Sequence, residues 1–284
     1  MSTRAEVSAR SERMDAQNWS DNIGHVAAWL GACAVYVFLY APLLTIAVFA
    51  FNDSTLQSLP WAGFTTRWFS AAAENSQLVN AMVFGLTVST ITVVFASTMG
   101  LVLAAALHAG RRGPSRVLLG ALVLPAVVPG LVLGLSLAIA FRSIGVTPGL
   151  WSIVFGHLTF TTPVVTLIVL SRLKRLDPSL VQASMDLGAG RLRTFRHVTW
   201  PQLRSAVLAS AVLCFTLSFD EVIVTYFLVG NQATFPVYVW TQTRFGFTPE
   251  INAVVTLIAS TSVVLIVIAT RLLERDIEPS GSAQ

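Results

Sequence analysis

Charge is scarce in this sequence. Only 14 acidic and 18 basic residues occur among 284, or 11% of the chain, against about 25% in soluble domains. At 54% hydrophobic residues and a mean hydropathy of +0.70, the polar surface is too small for a soluble enzyme of this length. Cysteine is nearly absent. Cys33 and Cys214 both fall in apolar blocks and form no C-x-x-C pair, which excludes a disulfide framework and a thiolate metal site and leaves them as packing residues. His25, His108, His157 and His197 are scattered, with no i, i+4 pair and no acidic cluster, so no metal site is expected. Lysine occurs once, at Lys174, and no G-x-x-x-x-G-K-[ST] loop is present, so the chain has no ordinary phosphate-cradling ATP site. The formal charge of +4 comes with no RNA- or DNA-binding motif, so nucleic acid is not an expected partner.

Long apolar runs are abundant instead. Six are long enough to cross about 30 Å of hydrocarbon at about 1.5 Å per residue: near 26–51, 79–107, 117–141, 150–171, 206–229 and 251–272. They lack strand-like alternation, and helices satisfy their own backbone in lipid, so the expected fold is an all-α polytopic membrane protein with six transmembrane helices. The lipid bilayer is its solvent. Basic residues set the orientation. Fifteen of the 18 lie in the N-terminal tail (1–25), the loop near 109–116 that holds Arg111 and Arg112, the 172–204 segment and the C-terminal end. Both termini, including the 273–284 tail, are therefore expected in the cytoplasm. The first block is too long for a signal-peptide core and lacks an A-x-A cleavage site, so it should remain as a span.

Several residues inside the spans stand out. Ala96, Gly100 and Ala104, and separately Gly130 and Gly134, repeat at four-residue spacing, as close-packed helix ridges do. Pro125 and Pro129 each remove a backbone donor and should kink or unwind the third span, with or without a transport role. Asp220 and Glu221 are the only acidic pair within a span, and an ionised carboxylate at mid-membrane costs at least about 2.5 kcal/mol. In a continuous helix starting near Ser205, Asp220 would lie about 22 Å along the axis, with Glu221 turned about 100° away. One carboxylate could then face a path or outer gate while the other caps or pairs with a neighbour; a purely structural hydrogen-bonding role is the alternative. Ser136, in Gly134-Leu135-Ser136-Leu137, and His157 in the next span would serve an intramembrane serine hydrolase, but the second glycine of a nucleophile motif is missing. Trp61, Trp68, Trp151 and Trp240 fall in or near outer segments, where interfacial anchoring and partner contact both suit them.

The segment from Ser171 to Val207 reads as two short helices. Asp177-Pro178 starts one, which Gly188 breaks; after Gly188-Ala189-Gly190, Leu192, Phe195 and Val198 continue an apolar face that Pro201 interrupts. Within it, Gln182-Ala183-Ser184, Gly188 and Val198-Thr199-Trp200-Pro201 reproduce the spacing E-A-A, three residues, G, nine residues, I-x-L-P, with four substitutions. At these residues the chain resembles the permease subunits of ABC importers, and the D-P-S-L and D-L-G-A strings around them fit the same family. The resemblance extends over residues 75–272. Ser218-Phe219-Asp220-Glu221, Phe235-Pro236-Val237-Tyr238 and the string from Arg244 to Ala253 are similar to the subgroup importing spermidine and putrescine, and permeases for ferric iron, opines, phosphonates or thiamine share parts of them.

That resemblance implies a type I ABC importer transmembrane domain in a bacterial inner membrane. It implies a non-catalytic subunit that binds no cofactor, with ATP and Mg used by a separate ATPase dimer. A second, homologous permease subunit would complete the pathway, and a periplasmic or surface substrate-binding protein would deliver the solute. Gln182, Ala183, Ser184, Asp186, Leu187, Gly188, Ala189 and Pro201 would couple to the ATPase. Ser218, Asp220, Glu221, Pro125 and Pro129 would belong to the translocation path or gate. A passive channel would need no ATPase and would leave the 172–204 signature unexplained.

Overall fold

The computed structural model describes residues 2–110, 116–244 and 248–277. Among them all regular secondary structure is helical, with one isolated bridge between Asn52 and Phe64 and no strand. Arg111, Arg112, the Phe245-Gly246-Phe247 part of the string after Arg244, and the tail past Ile277 lie outside the described residues. Among the described residues, four helices are long and apolar enough to cross a membrane, or five if one sharply bent pair is counted as a span. The chain divides into two compact units, residues 1–72 with 248–284, and residues 73–247.

The first unit contains α1 (Ser2–Phe49) and α12 (Pro249–Ile277), which pack along one another. The apolar part of α1 is Gly24–Phe49, and the helix continues back through the polar tail without a break. The loop after α1 is ordered by its own polar groups. Asn52 is buried, its Oδ1 accepts the Ala62 N–H at 2.9 Å, and its carbonyl accepts the Trp68 indole N–H at 2.8 Å. Trp68 opens α2 (Arg67–Glu74) and is itself buried, so its role is a hydrogen-bonded packing one, whereas Trp61 stays half exposed. Arg67 lies over the Trp68 ring and pairs with Asp53 at 2.9 Å.

The second unit is built on α3 (Ser76–Ala109), α6 (Leu150–Lys174) and α9 (Trp200–Phe219). Asn75 starts α3 by accepting the Leu78 N–H on its side chain. Hydrophobic burial does little to join helices in lipid, so close van der Waals approach must, and small residues permit it. Ala96, Gly100 and Ala104 are buried against Val165, Val169, Leu170 and Leu173 of α6, and Leu203 and Cys214 of α9 complete that core. A Cβ on Gly100 would stand 2.6 Å from Val165 Cβ.

The third apolar block is not one helix. α4 (Arg116–Val127) and α5 (Gly130–Ser143) are bent by 98° at Val128-Pro129. Proline cannot donate and disfavours helix in the residue before it, so the break falls where Pro129 demands it, while Pro125 stays inside α4. The fifth block is broken too, an expectation corrected by the structure. α9 ends at Phe219 and α10 (Ile223–Leu228) restarts after three residues. Gly130 and Gly134 face α10, with Gly130 3.6 Å from Ile223 Cβ and Gly134 3.0 Å from Val224 Cα, measured from the Cβ each lacks. The two breaks therefore lie side by side. α11 (Phe235–Gln242) then packs on α3.

Candidate functional site

Between α6 and α9 run α7 (Pro178–Asp186), α8 (Arg191–Thr194) and a wide π turn, Phe195–Thr199. Asp177 starts α7 by accepting the Ser179 N–H at 2.9 Å. The Ser179 backbone N–H, and then its hydroxyl, hold the Asp177 carboxyl below the usual carboxylate range. α7 closes in a Schellman motif: Ala189 N–H donates to Ser184 O at 3.1 Å and Gly188 N–H to Met185 O at 2.9 Å. Gly188 sits at φ +83°, with nothing within 4 Å of where its Cβ would be, so the backbone and not crowding demands glycine there. The Ser184 and Thr194 hydroxyls, 3.0 Å apart, hold α7 to α8.

Pro201 does not interrupt the second helix, contrary to expectation. It occupies the first turn of α9, in a helical run that is continuous from Arg191 to Phe219. A proline there removes one bond and crowds the carbonyl four residues back; the π turn just before it widens the backbone at that point. The Gln202 side chain donates to Val198 O at 2.8 Å, and Arg172 Nε donates to Gln202 O at 3.1 Å, tying the foot of α9 to α6. Gln182, Ala183, Asp186, Leu187 and Gly188 are exposed, and Leu187 and Leu192 are 89% and 81% exposed. An exposed knob that carries two apolar side chains beside polar ones therefore lies between α6 and α9.

The acidic pair occupies the break between α9 and α10, so neither residue follows the helical geometry expected of it. Glu221 Oε1 accepts the Val224 N–H at 2.9 Å, which caps α10. The Glu221 carbonyl accepts the Thr225 hydroxyl at 2.8 Å. Asp220 is exposed, and among the described residues its carboxylate has neither an ion pair nor a hydrogen bond; its N–H donates to Thr216 O at 3.0 Å. Ser218, in the last turn of α9, is buried against His157 of α6 with Oγ 2.8 Å from Nδ1, and His157 Nε2 lies 2.9 Å from Thr225 Oγ1. Glu221, Thr225, Ser218 and His157 thus each have a partner at the break, and the Asp220 carboxylate is the polar group left without one.

Both nitrogens of His157 are engaged with Ser218 and Thr225, so it makes no hydrogen bond to Ser136, which is exposed on α5. Pro125 lines an apolar groove of ≈ 410 Å³ with Met99, Leu122, Phe155 and Pro163, a groove that excludes Ser218, Asp220 and Glu221. A second cavity, ≈ 270 Å³, is lined by four carboxamides, Gln77, Asn80, Asn231 and Gln232, together with Tyr238. Sequence reasoning missed it, because carboxamides spread over two distant segments leave no local pattern. The same is true of Thr225, one hydroxyl among many in the spans.

The family model described as the binding-protein-dependent transport system inner membrane component matches residues 96–278. The chain belongs to this family. Its matched region takes in the α7–α8 knob, the break between α9 and α10, and α12. The spermidine/putrescine transport system permease protein PotC of Escherichia coli is 36% identical over 244 residues, covering 86% of this chain and 92% of PotC. The putrescine transport system permease protein PotI of the same species is 36% identical over 231 residues, covering 78% and 82%. Among solved structures, the transporter of a bacterial ABC system importing alginate shares the fold at a TM-score of 0.65 and 16% identity, over 89% of this chain and 96% of that one. The MetNI methionine transporter does so at 0.57 and 17%, over 70% and 95%. The chain is a multi-pass inner-membrane component of an ABC importer, and its helices are those of a permease.

Proposed function

We propose that this chain is one of two permease subunits of an ATP-driven importer for polyamines, spermidine or putrescine, and forms half of its translocation path. The observation that carries the substrate class is the 36% identity to PotC over 92% of that protein's length, with PotI equally similar. A carboxylate without an internal partner, Asp220, at a break in a span is consistent with a polycation that must be attracted without being held. The path contact goes to Asp220, because Glu221 spends its carboxylate on capping α10.

The chain would span the bilayer six times, with α12 as the last span and both termini in the cytoplasm, on the side that carries most of its arginines. The α7–α8 knob would then sit in a cleft of a separate ATPase dimer, which uses ATP and Mg. Closure of that dimer on ATP would draw the knobs of the two permeases together and turn the path outward, toward a substrate-loaded periplasmic binding protein. No cofactor is required of this chain.

The test is recovery of the tagged, gently extracted chain from its native membrane, with Gly188→Asp as the comparison. An aspartate at φ +83° forfeits about 1–2 kcal/mol of backbone preference and adds charge to the exposed turn. Wild type should bring down a Walker-motif ATPase, and Gly188→Asp should lose most of it at equal permease abundance. Equal recovery with both would remove α7–α8 as the coupling surface, and no ATPase with either would overturn the importer.

A further inference from the structure

The hydrogens of the network around His157 can be assigned by elimination. The Thr225 hydroxyl has one proton, and the Glu221 carbonyl at 2.8 Å can only accept, so that proton goes to Glu221. Thr225 Oγ1 is then an acceptor toward His157 Nε2 at 2.9 Å, and Nε2 must carry hydrogen. A neutral imidazole with Nε2–H has a bare Nδ1, which accepts from the Ser218 hydroxyl at 2.8 Å. The direction is therefore fixed throughout: Ser218 donates to His157, His157 to Thr225, and Thr225 to the Glu221 carbonyl.

The two partners of the imidazole lie on opposite sides of one break. Ser218 lies in the last turn of α9 and Thr225 in the first turn of α10, with Asp220 between them. Serine and threonine in helices usually satisfy themselves on a carbonyl of the preceding turn. Thr225 does so here, but Ser218 gives its proton to another helix. His157 is fully buried on α6, whose far end at Lys174 leads within three residues into α7. One side chain thus joins the helix that runs into the knob to both halves of the broken helix that carries Asp220.

We propose that His157 is a positioning residue: it pins the break in the fifth span to α6, so that movement of the knob relocates the Asp220 carboxylate. The inference rests on the permease reading and deepens it. Without the pin, Ser218 can return to the carbonyl of Cys214 and Thr225 can keep Glu221, so both helices persist while their link to α6 is lost. The expected consequence is uncoupling, and the quantity that reports it is solute moved per ATP hydrolysed.

The experiment uses the complete complex in proteoliposomes with its binding protein, and reads radiolabelled spermidine uptake and ATP hydrolysis together. His157→Leu should lower uptake per ATP about tenfold, within the usual range of site-to-site coupling. His157→Gln, which offers an acceptor and a donor on one planar group, should recover much of that ratio. If His157→Leu does not accumulate, the isosteric Thr225→Val decides, since it removes the donor to Glu221 and the acceptor for His157. An uptake-to-hydrolysis ratio equal to wild type in the deciding variant overturns the inference, even where both activities fall together. A wild-type complex that hydrolyses ATP without moving spermidine would instead sink the polyamine assignment, whatever His157 does.

Discussion

Replacing Gly100 by alanine sets two opposed effects against each other, and the structure predicts which wins. Alanine is favoured over glycine inside a helix by about 1 kcal/mol, so an alanine with room around it should stabilise. Gly120 on α4 has that room, with nothing within 4 Å of its missing Cβ. At Gly100 the added carbon would stand 2.6 Å from both Cβ and Cγ1 of Val165 and 3.1 Å from the Thr166 backbone nitrogen. Val165 cannot rotate out of the way, because its Cβ is itself one of the clashing atoms and its backbone belongs to α6. Relief requires α3 and α6 to part, at a cost of about 1–3 kcal/mol for overpacking. The helix preference is the same at both sites and cancels, so Gly100→Ala should be less stable than Gly120→Ala by about 1–3 kcal/mol. At about 2–4 °C per kcal/mol, that is a separation of at least 2 °C or so in apparent melting temperature. Gly156→Ala should lie between the two, since what it meets first is the flexible end of Leu228. Fluorescence-detected size exclusion after heating in detergent ranks all three. A Gly100→Ala protein as stable as Gly120→Ala would refute close backbone approach as the basis of the α3–α6 contact.

Further expectations concern the charge at the break and the rejected hydrolase. Asp220→Asn should cut spermidine uptake about tenfold with assembly intact, because its carboxylate has no structural partner to lose. Glu221→Gln keeps an oxygen for the Val224 N–H and should change uptake less; the opposite ranking, read from initial uptake rates, would exchange their roles. Ser136→Ala should leave uptake unchanged, and labelling of wild type by a mechanism-based serine probe, lost in this variant, would reopen hydrolysis by Ser136 and His157.

What could be read from the sequence follows from the range of the forces concerned. Apolar block length is a local property, and the helices α1, α3, α6 and α12 cover the blocks expected of them. The ridge at Ala96, Gly100 and Ala104 was legible because a four-residue repeat of small side chains has few other uses in a membrane. The knob was legible because Asp177, Pro178 and Gly188 act on their own backbone. The break at Asp220 was not. Hydropathy runs on from Ser205 to Val229 with only the acidic pair to disturb it, and the groups that make the break tolerable come partly from His157, 61 positions before Ser218. Pro201 misled for a related reason: proline is costly in a helix interior, but the π turn at Phe195–Thr199 widens the backbone just before it, and no local sequence signal announces that turn.

The neighbouring breaks in the third and fifth apolar blocks have different origins. Pro129 imposes the first through its own ring, whereas the second is assembled from hydrogen bonds of Glu221, Thr225, Ser218 and His157. A break imposed by covalent geometry cannot heal, while one assembled from side-chain bonds can shift when a partner moves. Gly134 lets α5 approach the backbone of α10, its missing Cβ 3.0 Å from Val224 Cα and beside the Phe227 ring, while Gly130 meets the side chains of Ile223 and Val224. A displacement of α10 would therefore press on α5 at Gly134, one turn from the break that Pro129 sets. Asp220 lies on the adjustable side of this pair. In lipid, where every unpaired polar group is costly, the bonds of Glu221, Thr225, Ser218 and His157 lower the cost of that break, and Asp220 is the group they leave unpaired.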